Sequence, residues 1–124
     1  MTKHVINIDW LSIHTHKTGV LKPFDKDGYS LQKMDYQTRQ FKEVYYLYHE
    51  QRELAVLTAV PHSPILHPDM TILKISNQYL YNADLKKYVN KVLEMLHLTF
   101  IGVSRVDLAC DFENFARGLQ PENL

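Results

Sequence analysis

From Ser104 to Glu113 the chain reads Ser-Arg-Val-Asp-Leu-Ala-Cys-Asp-Phe-Glu, an alternation without a break. Successive side chains of a strand point to opposite faces, so this period of two predicts one extended strand. Val106, Leu108, Cys110 and Phe112 share the side that would sit on a core. Arg105, Asp107, Ala109, Asp111 and Glu113 share the other. That second face carries Asp107 and Asp111 with only Ala109 between them. Like charges on one face repel, and Asp is a poor strand former. Two arrangements relieve the penalty. One is a solvated outer face on which Arg105 balances the acids. The other is a basic partner or a divalent cation, magnesium or manganese, for which paired carboxylates are the usual ligands.

The same residues carry a resemblance. Arg105-Val-Asp-Leu-Ala-Cys-Asp-Phe112 resembles the Arg-x-Asp-hydrophobic-Ala-x-Asp signature of replication initiation proteins of rolling-circle plasmids, conjugative elements and related phages. It follows an amphipathic helix, as in that family. Ile8-Asp-Trp-Leu-Ser-Ile13 and Ile75-Ser-Asn-Gln-Tyr-Leu-Tyr81 are also similar to the amino-terminal part of such proteins. The likeness spans most of residues 5–119, and 105–112 is its distinctive part.

The resemblance implies an enzyme that binds an origin and holds a divalent ion with acidic residues. It nicks one strand through a tyrosine and leaves a 3′-hydroxyl to prime replication. In that family the nucleophile lies after the signature strand, and Asn114–Leu124 contains no tyrosine. The expectation is therefore an amino-terminal module with no catalytic residue of its own. It would contribute Asp107 and Asp111 as metal ligands to a site completed elsewhere, and alone it should neither nick DNA nor form a covalent adduct. The competing reading is a non-catalytic module that binds a protein partner or single-stranded nucleic acid through the face opposite its helix.

At 124 residues the chain is one domain by length, with an ordinary globular composition of 45% hydrophobic and 23% charged residues. Fourteen basic residues balance fourteen acidic ones, so any DNA contact must come from a local patch. Lys33, Arg39 and Lys42 fall in the most basic span and are the candidate phosphate contacts. The single cysteine, Cys110, cannot form an internal disulfide and suits a reducing cytoplasm. No apolar run approaches membrane-spanning length.

Hydrophobic patterning predicts strands with one principal helix. The first strand covers about 4–13, followed by a long polar loop from His14 to about Gln37. Residues 39–49 and 52–60 form a hairpin whose Glu50-Gln51 turn lacks the Gly or Asn of a tight primed turn. A strand at 71–76 comes next. The helix shows Leu85, Tyr88, Val89, Val92, Leu93 and Leu96 as one apolar stripe, with Asn82 as N-cap. The final strand would complete a crossover if it lies parallel beside 71–76. The fold class is α+β, a mainly antiparallel sheet with one principal helix packed on one face.

Other residues invite chemistry. His14-Thr15-His16 puts two imidazoles on one side of a strand end, a spacing that metals and plain solvent exposure both accept. His62 and His67 read as loop histidines. Tyr45, Tyr46, Tyr48, Tyr79, Tyr81 and Tyr88 could pack with wet hydroxyls, stack bases, or supply a nucleophile.

Overall fold

The computed structural model describes the backbone of residues 6–110 and the side chains of residues 8–107. Nine elements follow in order: β1 (Ile6–Lys17), β2 (Phe24–Lys26), β3 (Tyr29–Lys33), β4 (Phe41–His49), β5 (Arg52–Pro61), β6 (Met70–Ile75), α1 (Asn77–Leu80), α2 (Leu85–Met95) and β7 (Leu98–Cys110). The strands form one sheet in the order β2-β3-β4-β5-β6-β1-β7, and every neighbouring pair is antiparallel. The fold is α+β, a mainly antiparallel sheet with its helices on one face.

The alternation in each strand explains this layering. Leu31, Tyr45 and Leu47, Leu57, Leu73 and Ile75, and Ile13 project to one side and are buried. Tyr79 and Leu80 of α1, with Val92 of α2 and its C-cap Leu96, close over them in the same cluster. A bulge between Leu47 and Tyr48 in the β4–β5 register sets Leu54 beside Ala55, and both are fully buried. Thr15 and Thr71 lie buried on this side too. Their hydroxyls bond each other and the opposite backbone carbonyls, which satisfies polar groups that burial would otherwise penalise.

Several expectations need correcting. The polar stretch after His14 is no single loop: β1 runs on to Lys17, and β2 and β3 form a hairpin inside it. Its turn is Asp27-Gly28 with φ of 55° and 81°, the two positive values a type I′ turn requires. The β4–β5 turn is also a two-residue turn, joining the His49–Arg52 pair, with Glu50 and Gln51 at φ of 50° and 68°. Side chains are thus held where glycine is favoured. Strand β7 does not lie beside β6. β1 sits between them, antiparallel to both, so β6 and β7 run parallel without touching. The long β1, with Ile6, Ile8 and Ile13 along it, pairs along both of its edges, and it fills the gap that α1 and α2 span. The N-cap of α2 is Asp84 rather than Asn82. Asn82 instead accepts the Asp84 N–H through Oδ1 at 2.8 Å, an Asx turn that leads into the helix.

Candidate nucleic-acid interface

The face opposite the helices carries no helix among the described residues, although the loops around Tyr36 and His67 reach over part of it and Val44 is buried there. Register builds it row by row. Gln32, Tyr46, Val56, Lys74, Ser12 and Arg105 are successive cross-strand partners from β3 to β7, so all six share this face. The parallel row through Val44, Thr58, Ile72, His14 and Gly102 lies beside it.

Trp10 organises one end. Its Nε1 donates to Ser12 Oγ at 2.7 Å, fixing the indole over the sheet. Lys74 Nζ lies 3.8 Å from the ring centroid, and the Arg105 guanidinium carbon lies 4.3 Å from it. Both are within cation–π range of the indole. Arg105 also donates to Asp107, from Nε to Oδ1 at 3.3 Å and from a terminal nitrogen to Oδ2 at 2.6 Å. That fork holds the Asp107 carboxyl below its ordinary value and the guanidinium above. At the other end Tyr46 and Tyr48 lie with ring centroids 6.4 Å apart, and Tyr46 shares a 2.9 Å hydroxyl contact with Tyr36. The arrangement presents aromatic faces and cations on one surface. It can stack bases and contact phosphate.

Each candidate site residue has a place relative to this face. Asp107 lies on it, across from Trp10, and points away from α2. Asp111 lies outside the described residues. Lys33 pairs with Tyr45, on the helix-covered side, and meets Glu43 at 3.6 Å. Lys42 precedes Glu43 and alternates onto the open face, while Arg39 borders a shallow groove with Phe41 and Ile72. The three basic candidates are therefore not gathered on one surface. The cations that do converge are Lys74 and Arg105. Sequence reasoning passed over Lys74 because its proximity to Trp10 depends on strand order. The one local signal was the alternation that puts Trp10 and Ser12 on a common side.

Arg105 engages both Asp107 oxygens. Among the described residues no group of three or more His, Cys, Asp or Glu is arranged to hold a metal. In extended backbone two residues four apart are separated by about 13 Å, whereas ligand oxygens lie within about 2.0–2.6 Å of magnesium or calcium. The described residues do not compose a divalent-cation site.

His14 and His16 have gained a neighbour. His67 stacks on His16 with centroids 4.2 Å apart and planes 23° apart, and His16 meets His14 at 5.4 Å. Burial first, then the nearby His67 and His14, hold the His16 imidazole below its ordinary pKa against the pull of Asp69. His67 Nδ1 accepts the Asp69 N–H at 3.1 Å, which puts the neutral ring's proton on Nε2. With Nδ1 engaged and the proton on Nε2, the neutral His67 ring has no free lone pair to offer a cation.

The tyrosines divide in the same way. Burial, then the 2.9 Å bond to Glu43, pushes Tyr45 up to about 12. The Tyr36 bond does the same for Tyr46, also to about 12. Tyr81 donates to Asp9 at 2.8 Å and is raised by it. Each is a poor source of phenolate at neutral pH.

No protein-family model, curated protein or solved structure matches this chain. No helix among the described residues is long and apolar enough to cross a membrane.

Proposed function

We propose that this chain is a single-stranded DNA-binding sheet module of the rolling-circle initiator type. Bases would stack along the open face, and phosphates would pair with Lys74 and Arg105. The observation that carries the reading is Trp10 with two cations against its ring, on the same surface as Tyr46 and Tyr48. Asp107 sits at the edge of that surface as the counter-charge to Arg105. Under the initiator reading, Asp107 would join ligands from elsewhere in the whole protein around magnesium or manganese.

The chain has one tryptophan, so its intrinsic fluorescence reports this face directly. Titration with an oligothymidylate should quench Trp10 with micromolar to millimolar affinity, and the affinity should fall steeply as salt rises. An unquenched signal at low salt would overturn the proposal.

One observation favours the protein-docking alternative. On β7, Phe100, Ile101, Val103 and Val106 are all exposed, in the last strand of the sheet order. Pairing of another strand along that edge is the form such docking would take. Chemical-shift changes confined to β7 on adding DNA-free cell extract components of defined identity, with Trp10 unmoved, would favour it.

A further inference from the structure

We propose that the cleft between α2 and the β2–β3 hairpin binds a nucleoside phosphate, its base on the Tyr29–His49–Tyr88 wall and its phosphates on Lys87 and Lys91.

The cleft lies on the helix side of the sheet, away from the Trp10 surface, and has a volume of about 880 Å³. Ligand sites commonly fall between roughly 300 and 1,000 Å³. One wall is the face of α2 that carries Lys86, Lys87 and Lys91. Lys87 and Lys91 are four residues apart, so they lie one turn above the other and repel each other. None of the three is within ion-pair distance of an acidic side chain among the described residues, although Asp84 and Glu94 line the same cleft. An anion bridging Lys87 and Lys91 would turn that repulsion into binding.

The sheet side of the cleft, from Tyr29 and His49, is aromatic, and Tyr88 of α2 joins it. Tyr29 stacks on His49 with centroids 4.5 Å apart and planes 28° apart. Tyr88 stands 5.6 Å from His49, and Tyr79 meets Tyr88 edge-on at 5.1 Å. Elsewhere the helix–sheet contact is mainly aliphatic, with Tyr45 the exception: Leu47, Leu57, Leu73 and Val92 are fully buried. Here three tyrosines and a histidine replace such residues, and three of the four, Tyr29, His49 and Tyr88, remain half-buried at the cleft. Aromatic faces beside unpaired cations match a planar base joined to phosphate. The same chemistry belongs to a free nucleotide and to the phosphorylated end of a strand.

The test uses the full chain with ADP, adenosine, inorganic phosphate and a 5′-phosphorylated dinucleotide, followed by NMR and calorimetry. ADP should shift Tyr29, His49 and Tyr88 saturably while Trp10 fluorescence stays constant. Adenosine and phosphate should each bind at least tenfold more weakly. The double variant Lys87→Ala, Lys91→Ala changes exposed residues; with its circular dichroism unaltered, it should lose tenfold or more in ADP affinity. Lys74→Ala with Arg105→Ala should leave ADP affinity unchanged. A dinucleotide that binds more tightly than ADP with the same shifts identifies a strand end as the ligand. Absence of saturable shifts, an unaffected double variant, or phosphate binding as tightly as ADP would each overturn the assignment.

Discussion

The two faces of the sheet use the same strand alternation for opposite ends. On the covered face the register lines up Leu47 with Ala55 and Tyr45 with Leu57 and Leu73, all sealed by the helices. On the open face the same strands align Tyr46, Val56, Lys74, Ser12 and Arg105. Aliphatic residues gain stability by leaving water, whereas an indole flanked by cations keeps both ring and charge available to a partner. Tyrosine shows the contrast in neighbouring positions. Tyr45 is buried against Glu43, and Tyr46 is tied only to the exposed Tyr36. Stability and recognition should therefore separate by face.

The largest expected effect is on the covered side. Leu57→Ala removes a fully buried side chain from the centre of the sheet and should cost about 2–5 kcal/mol in denaturant unfolding. Oligothymidylate affinity of the folded variant should not change. The matching change on the open side is Lys74→Ala with Arg105→Ala. It should weaken oligothymidylate binding by about tenfold and lower the logarithmic salt slope by about 1.4, since each phosphate neutralised on a single strand contributes about 0.7. Its unfolding midpoint should move far less than that of Leu57→Ala. Equal losses of stability from both changes would mean that the open face is structural as well.

The architecture was legible in sequence where the pattern is local. The β4 and β5 alternation and the apolar stripe of α2 each follow from spacing within one segment. The β2–β3 hairpin was missed although Asp27-Gly28 is a strong two-residue turn signal, because strands of three and five residues show too little alternation. The Glu50-Gln51 turn carries no such signal at all: hairpin pairing from Phe41 to Pro61 overrides local preference there. The site was legible only in part. Asp107 and Arg105 stand out within their own strand, but Lys74 and Trp10 come together only because β1 separates β6 from β7. Pairing across strands that are 60 or more residues apart leaves no mark in a local window.

The two turns allow an intermediate test. Replacing Glu50-Gln51 with Asn-Gly puts residues suited to positive φ into a turn that already has that shape. Relief of left-handed strain should appear in thermal unfolding as a gain of about 1 kcal/mol, with oligothymidylate binding unchanged. The reverse substitution, Gly28→Ala at φ of 81°, should destabilise. Nothing but the Glu50 side chain, 3.8 Å away, meets the added Cβ, so this loss would come from backbone strain rather than collision.

The smallest effect concerns Asp107, and it separates the two roles open to that residue. Its carboxyl is held below its ordinary value chiefly by hydrogen bonds from Arg105. A carboxylate depressed in the folded state contributes stability above its unfolded pKa, and that contribution is lost as pH falls through the lower folded value. The window is therefore acidic, beginning near the ordinary aspartate pKa of about 3.9 and extending below it. Both side chains are substantially exposed, at 55% and 45%, so solvent and salt screen the pair and the stability change should be slight. Binding is the sharper readout. Asp107→Asn removes the charge that occupies the Arg105 fork and leaves the guanidinium free for phosphate. Oligothymidylate affinity should then rise a few-fold at neutral pH and low salt, and the acid-limb loss of stability should shrink. If Asp107 instead acts through a bound divalent ion, Asn would weaken DNA binding in manganese or magnesium and leave it unchanged in chelator. A rise in chelator and in metal alike assigns Asp107 to the restraint of Arg105.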